Sequence, residues 1–247
     1  MWNYPRVLAH RGGGTLAPEN TLAALRHAVA LGFRGVEFDV MAARDGGLIL
    51  MHDDCLGRTV AGSGSIGDID AADLCLMDAG RWFAPEFAGE RVPDFGAAAR
   101  YCVQNGVFMN AEIKPVPGTE ARTGQGVALA CAGLPEGSVL LSSFSFAALA
   151  AAKDAAPQLP RALLVEAVPD DWQQQLARLA AVALHAQAGR LRPEQAYAVR
   201  EAGYGLLCYT VNDPSEARAL SAMGVDAICT DRLDLIGPDF FPSDENH

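Results

Sequence analysis

The stretch Val36–Asp53, which reads V-E-F-D-V-M-A-A-R-D-G-G-L-I-L-M-H-D, carries the pattern that decides the fold. Its first five residues alternate between apolar and acidic side chains, which is the periodicity of a β-strand. Side chains two positions apart lie on the same face of a strand, so Glu37 and Asp39 point in the same direction. Two carboxylates on one face repel each other unless a cation lies between them. The pair therefore indicates a candidate metal site.

The second half of this stretch predicts a hairpin. Asp45–Gly47 favours a turn, and the apolar run Leu48–Met51 predicts a return strand that brings His52 near the carboxylate pair. An acidic pair on a strand is more often a solvated face, but the apolar neighbours here indicate an interior strand pair. Because buried carboxylates without partners are costly, a metal site with a histidine beside it is the first hypothesis.

Length and composition narrow the class of protein. The chain has 247 residues, of which 50% are hydrophobic, and this size suits one barrel-like domain or two small ones. A net charge of -11 argues against binding to nucleic acid or to an anionic membrane, although a divalent ion would still allow an anionic small substrate. No signal peptide or membrane-spanning run is evident, so we expect a cytoplasmic protein without stable membrane association. Six cysteines lack C-x-x-C spacing, and several of them lie in apolar runs and are interpreted as small core residues rather than ligands: Cys55, Cys75, Cys102, Cys131, Cys208 and Cys229.

Beyond the hairpin, strand and helix patterns alternate along the chain. Without the return strand, eight strands are predicted near residues 7, 36, 108, 139, 162, 182, 206 and 227. Each of the first seven precedes a predicted helix, at 18–32, 95–104, 121–132, 146–155, 172–179, 193–202 and 214–223. The sequence therefore predicts an α/β fold, a TIM (β/α)8 barrel with a β-hairpin at its second strand and a small insertion. A doubly wound open sheet is the alternative.

We expect residues 1–247 to form a single barrel domain. Residues 54–93 form an insertion of about forty residues, which is long for a connecting loop, and such insertions usually shape a binding site. The chain ends in a polar, acidic segment, so we expect residues 239–247 to be disordered.

Polar residues collect at the predicted strand ends, and a barrel places the C-terminal ends of all its strands around one mouth. These ends include His10–Arg11, Glu37 with Asp39, Glu112 with Lys114, Ser142–Phe144, His185–Gln187, Tyr209–Asn212 and Thr230–Asp231. Glu112 is thus the third carboxylate for the suspected ion. Three carboxylates without a cysteine or histidine cluster favour a hard ion, Mg²⁺ or Ca²⁺, over Zn²⁺, and Mn²⁺ is a further alternative.

Two histidines and two cations around such an ion fit the hydrolysis of a phosphate ester. Arg11 and Lys114 would offset the charge on the phosphoryl oxygens, while His10 and His52 would move protons at neutral pH. Each has a plain structural alternative, such as a carboxylate partner for Arg11 or a packing role for His52. When all four residues meet at one mouth, these structural alternatives are together less favoured than the roles in phosphate ester hydrolysis.

Eight short strings occur in order along the chain: A-H-R-G-G-G, A-P-E-N-T, E-F-D-V, D-G-x-L-I-L-M-H-D-D, E-I-K-P, L-L-S-S-F, Y-T-V-N and I-C-T-D. Any one of them is a weak signal, but the ordered set is highly specific. Over nearly the whole chain it resembles the glycerophosphodiester phosphodiesterase family, and it is most similar to the compact cytosolic bacterial members associated with glycerol 3-phosphate uptake. The resemblance implies a TIM barrel with a small insertion after the His-Asp motif.

The resemblance also implies roles for individual residues. It implies that Glu37, Asp39 and Glu112 hold one divalent metal ion and that His10 and His52 are the acid/base pair. The substrate-binding residues would be Arg11 and Lys114 at the phosphate, together with the aromatic Phe144 and Tyr209. Many members carry tryptophan at the position of Tyr209, so the aromatic wall is expected to differ in width.

Three further polar residues receive weaker expectations. His185 and Gln187 lie on a segment that varies within the family, and a structural role is favoured over contact with substrate. Asn20 is expected to hold the loop after His10 rather than to bind a ligand.

The implied reaction is hydrolysis of a glycerophosphodiester to sn-glycerol 3-phosphate and an alcohol, with His10 as base and His52 as acid. Attack by water and attack by the glycerol 2-hydroxyl, which would form a cyclic phosphate, both stay open. The alternatives are a phospholipase-like lyase that releases a cyclic phosphate and a non-catalytic barrel that binds a polyol phosphate. The expected partner is a small-molecule glycerophosphodiester, and the sequence leaves the oligomeric state open.

Overall fold

The computed structural model describes residues 2–241, in which nine strands form one sheet. The strands are β1 (Val7–Ala9), β2 (Gly35–Ala42), β3 (Leu48–Leu50), β4 (Phe108–Ile113), β5 (Val139–Ser143), β6 (Arg161–Val165), β7 (Ala183–Gln187), β8 (Gly205–Tyr209) and β9 (Ala227–Thr230). All are parallel to their neighbours except β3, which pairs antiparallel with β2.

The sheet closes on itself through β1. Ala9 pairs with Val36 of β2 on one side and with Thr230 of β9 on the other. Eight parallel strands therefore form a barrel, which confirms the predicted TIM architecture and excludes the open sheet. The strand β3 lies outside the ring, where Met41 pairs with Ile49, so the predicted hairpin at the second strand is also confirmed.

Helices alternate with the strands: α1 (Leu22–Ala30), α2 (Ala71–Leu74), α3 (Phe95–Gln104), α4 (Glu120–Cys131), α5 (Phe146–Ala155), α6 (Trp172–Leu179), α7 (Pro193–Glu201) and α8 (Pro214–Ala222). The largest difference from prediction is the start of α1, which was expected at Pro18. Asn20 adopts a left-handed φ of 57°, and the Thr21 side chain accepts a hydrogen bond from the backbone of Ala24. This N-cap delays the helix and leaves residues 18–20 in the loop beside His10.

Three apolar clusters stabilise the barrel. The largest lies between the strands and the outer helices and includes Phe38 and Leu149, both fully buried. A second fills the barrel interior around Leu8 and Leu140. Complete burial of one such side chain contributes roughly 1.5–3 kcal/mol. The third cluster joins the hairpin to the segment 54–93 and is described next.

Residues 54–93, referred to as the insertion, contain α2 and two short 3-10 helices. Ile66 and Leu74 of the insertion are buried against Met41 and Ile49 of the hairpin. The insertion also contacts α1, since Glu90 accepts hydrogen bonds from the backbone of Ala23 (2.8 Å) and from Arg26 (2.9 Å). It is therefore packed onto the barrel at more than one place.

The C-terminal segment was expected to be disordered over 239–247. Phe240 and Phe241 pack against the main core, and the guanidinium of Arg218 lies 5.6 Å from the ring centroid of Phe240. Residues 242–247 lie outside the described residues. Within residues 2–241, we find no helix with the length and apolar character needed to cross a membrane.

Candidate active site

A cavity of about 200 Å³ opens at the C-terminal ends of the strands. It is lined by all nine residues expected to act on a metal ion or substrate: His10, Arg11, Glu37, Asp39, His52, Glu112, Lys114, Phe144 and Tyr209. Deeper lining residues come from the barrel interior: Asn110, Leu164, His185, Leu207 and Cys229. The fold thus brings together side chains from β2, β4 and β8 and from the loops that follow β1, β3, β4 and β5, above a floor supplied by β4 and β6–β9.

Two neighbouring strands supply the three carboxylates. Glu37 and Asp39 project from the same face of β2, and Asp39 pairs in register with Glu112 of β4. Each of the three offers an oxygen, and these oxygens lie within 4.8 Å of one another. The spacing matches that of ligands around one shared cation.

The electrostatics of the three carboxylates differ. Burial, followed by the neighbouring charge of Asp39, raises the pKa of Glu37 and Glu112 above its ordinary range. Burial also acts to raise the pKa of Asp39, but the positive charges of Lys114 and Arg11 outweigh it and the pKa falls. The Oε1 atom of Glu37 is buried without a hydrogen-bond partner among residues 2–241. Buried carboxylates with an unused oxygen fit a hard divalent cation, whose charge would favour their ionised forms.

His10 directly follows β1 and is held by a residue that directly follows β9. Its Nδ1 lies 2.6 Å from Oδ1 of Asp231, and its Nε2 lies 3.8 Å from Oε2 of Glu37. Burial acts to lower the pKa of His10, but the hydrogen bond to Asp231 and the charge of Glu37 outweigh it, so the pKa is raised. Asn212 in turn holds Asp231, donating to Oδ2 at 3.0 Å and accepting from its backbone N–H at 2.8 Å.

The glycine run after His10 allows this close approach. Gly14 has a φ of 54°, and a Cβ at that position would collide with the carbonyl oxygen of Asp231. The backbone N–H of Thr15 donates to that same oxygen at 2.8 Å. A residue with a side chain at position 14 would therefore push apart the loop and the partner of His10.

His52 follows β3 and has a different support. Its Nδ1 lies 2.7 Å from Oδ1 of the adjacent Asp53. Burial is the main cause that lowers the pKa of His52, and the charge of Asp39 and the hydrogen bond to Asp53 offset it only in part. Both histidines thus direct Nδ1 to a carboxylate. That contact favours the tautomer with the proton on Nδ1 and leaves Nε2 for proton transfer.

Two cations stand beside the carboxylates. Arg11 has a left-handed φ of 49°, and its backbone N–H donates to Oε2 of Glu37 at 3.0 Å. Its guanidinium Nε lies 3.7 Å from Oδ2 of Asp39, and Lys114 Nζ lies 3.3 Å from Oδ1 of the same carboxylate. Each cation contacts a carboxylate and also lines the cavity, so either can meet an anionic ligand there.

One wall of the cavity is aromatic. The rings of Phe144 and Tyr209 meet edge to face, with centroids 5.8 Å apart. The Tyr209 hydroxyl donates to the carbonyl oxygen of Val165 at 2.9 Å, which fixes the ring against β6. Phe144 is 47% exposed, so its ring is free to contact a bound molecule at the entrance.

The three polar residues with weaker expectations have distinct positions. Asn20 donates to Oδ2 of Asp39 at 2.8 Å and accepts from the backbone N–H of Asp39 at 3.0 Å. It therefore joins the loop after His10 to a carboxylate. Gln187 is exposed at the end of β7. His185 is fully buried on the cavity floor, neither ring nitrogen has a hydrogen-bond partner within residues 2–241, and burial lowers its pKa to about 3.

Sequence analysis missed the partners of the reactive side chains. Asp53 and Asp231 were visible next to a histidine and at a strand end, and those positions were the available signals. Glu19 and Arg58 had no such signal, since their contacts depend on loop conformation. Glu19 accepts a hydrogen bond from Arg11 at 2.8 Å, and Arg58 pairs with both Glu19 and Asp53.

Comparisons with known proteins agree with this geometry. Residues 10–235 match the model of the Glycerophosphoryl diester phosphodiesterase family. A glycerophosphodiester phosphodiesterase of Caldanaerobacter subterraneus subsp. tengcongensis is 33% identical over 230 residues, covering 91% of this chain and 93% of the relative. One of Bacillus subtilis is 30% identical over 251 residues, covering 93% of this chain and 84% of the relative.

A solved structure is also similar. It is an Oleispira antarctica phosphodiesterase in complex with the product sn-glycerol-3-phosphate. The two chains are 37% identical with a TM-score of 0.89, and the match covers 92% of this chain and 93% of that one. With a barrel and cavity as described and a family match over nearly the whole chain, the protein belongs to the glycerophosphoryl diester phosphodiesterase family.

Proposed function

We propose that the protein hydrolyses glycerophosphodiesters to sn-glycerol 3-phosphate and an alcohol, in the presence of a divalent cation bound by Glu37, Asp39 and Glu112. The observation that carries the proposal is the composition of one cavity. Three carboxylates whose oxygens lie within 4.8 Å of one another share it with two histidines, each paired to a carboxylate of its own. Binding of a polyol phosphate alone would not require two oriented proton-transfer groups.

The carboxylate set supports Mg²⁺ or Ca²⁺, since both prefer oxygen ligands, with Mn²⁺ as a further candidate. When bound, such an ion polarises a phosphoryl oxygen and stabilises negative charge in the transition state. Glu37, Asp39 and Glu112 would hold it, while Asn20 keeps one Asp39 oxygen in place through its amide.

Arg11 and Lys114 bind the phosphodiester. Both are cations at the edge of the carboxylate cluster, and the side chains are only 20% and 25% exposed. A guanidinium and an ammonium in a partly dry site contribute strongly to anion binding, because water screens them weakly. They thus orient the phosphorus atom between the two histidines.

His10 and His52 move the protons. One accepts the proton of the attacking hydroxyl as that oxygen bonds to phosphorus, and the other donates a proton to the leaving oxygen as its bond to phosphorus breaks. Attack by water yields the products directly. Attack by the glycerol 2-hydroxyl yields a cyclic phosphate that water then opens, with the two histidines exchanging roles.

The order predicted from sequence, His10 as base and His52 as acid, stays a prediction. Without a cation, the pKa of His10 is raised and that of His52 is lowered, which alone would favour the reverse order. Glu37 contributes to the raised pKa of His10, and a cation bound to Glu37 would remove part of that effect. Leaving-group experiments therefore assign the order.

Two further features belong to the proposal. The insertion acts as a cap over the barrel mouth that influences the preference among alcohol groups, and the chain works as one domain. We also propose a reducing, cytoplasmic setting for the chain. All six cysteines are free of disulfides, and the four buried ones pack in the apolar core. The fold therefore does not depend on disulfide bonds that would need an oxidising compartment.

The test is release of glycerol 3-phosphate from glycerophosphocholine, with Mg²⁺, Ca²⁺ or Mn²⁺ and with a chelator. Activity should need the ion and return on its addition. Glu37→Gln, Asp39→Asn and Glu112→Gln should each weaken ion binding in calorimetric titration and lose most activity. They should stay folded, since each replaces a carboxylate with an amide of nearly the same shape and volume. Unchanged Mg²⁺ affinity in all three variants, or no glycerol 3-phosphate with any ion, would contradict the proposal.

A further inference from the structure

Arg58, in the insertion, makes a forked contact with two carboxylates. Its Nε and Nη2 donate to Oδ2 and Oδ1 of Asp53 at 2.6 and 3.0 Å. Its Nη1 and Nη2 donate to Oε2 and Oε1 of Glu19 at 2.7 and 2.8 Å. Only a planar guanidinium can present two such pairs of donors at once.

Each of these carboxylates also holds a cavity residue. Oδ1 of Asp53 lies 2.7 Å from Nδ1 of His52, and Oε1 of Glu19 accepts from Nη1 of Arg11 at 2.8 Å. A continuous chain of charge-assisted hydrogen bonds therefore runs from His52 through Arg58 to Arg11. It connects a proposed proton-transfer group with a proposed phosphate-binding group across the mouth of the barrel.

Attachment of the insertion does not depend on Arg58. Glu90 binds α1 independently, and the buried Ile66 and Leu74 pack on the hairpin. The Arg58 side chain is 45% exposed, and exposed ion pairs contribute little to stability. A purely structural role for Arg58 would thus be largely redundant.

We infer that Arg58 is a positioning residue that orients His52 and Arg11 together. It holds Asp53 and Glu19 in the geometry that each cavity residue needs. The inference rests on the proposed function and names the element that aligns proton transfer with phosphate binding. It also gives the insertion a part in the reaction besides the proposed role as a cap.

Arg44 offers a matched control. It lies in the hairpin turn and makes a forked pair with Asp70 of the insertion at 2.9 and 2.8 Å, and it does not line the cavity. Arg58→Ala, Arg58→Lys and Arg44→Ala should be compared for kcat, KM, Mg²⁺ affinity and Tm. The substrates are glycerophosphocholine and a p-nitrophenyl glycerophosphodiester.

Arg58→Ala should lower kcat on glycerophosphocholine by about 10- to 100-fold, the usual effect of losing a group that orients a catalytic side chain. It should raise KM as well, through Arg11, and leave Mg²⁺ affinity nearly unchanged. Arg58→Lys should recover little, since an ammonium cannot bridge both carboxylates in this geometry. Arg44→Ala should behave as the wild type.

Two readouts separate positioning from stability. Arg58→Ala should show, in weaker form, the same preference between the two leaving groups as His52→Ala. Combined with Asp53→Asn, its loss should be less than additive, because both variants break one chain of contacts. Added guanidinium should restore part of the activity of Arg58→Ala.

The inference is overturned if Arg58→Ala matches Arg44→Ala in kcat, if KM alone changes, or if the losses with Asp53→Asn are additive. A wild-type protein that releases no glycerol 3-phosphate would instead overturn the proposed function. The two failures are therefore distinguishable. Any variant with a lowered Tm is assayed well below that temperature. If Arg58→Ala does not fold, Arg58→Lys is compared with Arg44→Ala in the same way.

Discussion

The two histidines at the barrel mouth are supported by different kinds of structure. His10 directly follows the barrel strand β1, its side chain is 19% exposed, and its partner Asp231 follows the neighbouring strand β9. The His52 side chain is 29% exposed and follows the outer strand β3, with a partner that is the next residue in the chain. Strand pairing supports the first, while ion pairs with the insertion support the second.

The two histidine–carboxylate contacts are similar in length, but they depend on different parts of the structure and should respond to different substitutions. The contact at His10 depends on closure of the barrel, which is stabilised by the main core. The contact at His52 depends on Asp53, which Arg58 keeps ionised; that hydrogen bond is the main cause that lowers the pKa of Asp53 to about 2. The His52 side should therefore respond more to changes in the insertion.

The largest expected effects are those of removing each histidine. If both transfer protons, His10→Ala and His52→Ala should each lower kcat by roughly 10²–10⁴-fold with metal affinity nearly unchanged. The two losses should be less than additive in the double variant, since acid and base act in one reaction. Steady-state kinetics with calorimetric Mg²⁺ titration measures both.

The choice of leaving group sharpens this result. Loss of the general acid should slow release of choline far more than release of p-nitrophenolate, which departs without a proton. We expect rescue by the activated substrate for His52→Ala alone. Rescue of His10→Ala instead would reverse the two roles, and equal losses on both substrates for both variants would remove the acid–base assignment.

The next largest effects concern the two carboxylate partners. Asp53→Asn and Asp231→Asn should each lower kcat by about 10- to 100-fold, since an amide no longer holds the required tautomer. We expect the greater kcat loss for Asp53→Asn, because the more exposed His52 has less packing to keep it in place. Asp231→Asn should instead give the greater fall in Tm on thermal unfolding. If Asp231→Asn gives the greater loss of kcat and Asp53→Asn the greater fall in Tm, the proposed difference between the supports of His10 and His52 is wrong.

A smaller effect is expected from shortening the exposed part of the insertion around Trp82 while Arg58 and Glu90 are retained. If the insertion caps the mouth, the ranking of choline, ethanolamine and glycerol diesters should change, while the free energy of unfolding should change little. Rates for the three diesters, measured beside urea unfolding curves, test this. An unchanged ranking would argue against the cap.

The smallest effect on activity is expected at His185, which has no carboxylate partner among the described residues. His185→Leu should keep kcat within about threefold, since the residue does not transfer a proton. A loss above about tenfold would indicate direct contact with substrate.

His185 should instead affect stability at low pH. Its folded-state pKa of about 3 lies below the ordinary value of 6.5. Its neutral form therefore supports the fold fully above pH 6.5, and that stability is lost as pH falls toward 3, at roughly 1.4 kcal/mol per pH unit. The substitution His185→Leu should lessen this acid sensitivity in urea unfolding between pH 7 and 5, whereas identical pH slopes would contradict it.

The carboxylate cluster could be predicted because its pattern is local. Alternation along β2 assigns Glu37 and Asp39 to one face, and the position of Glu112 at the end of a strand requires only the repeated strand–helix order. The start of α1 was misjudged, since Asn20 takes a left-handed conformation to reach Asp39. That conformation depends on a residue nineteen positions away in the chain.

By itself, the sequence determined the barrel, the hairpin, the family and the side chains that line the mouth. These features follow from periodicities of two and about 3.6 residues and from motifs that are read along the chain. Only the tertiary structure decided that Asp231 holds His10 and that Glu19 and Arg58 connect Arg11 with His52. It also placed His185 on the cavity floor without a hydrogen-bond partner among the described residues. Such pairings join positions up to 221 residues apart, and loop conformations and barrel closure place them within hydrogen-bond distance. No local pattern encodes that distance, because it is set by the packing of the whole chain.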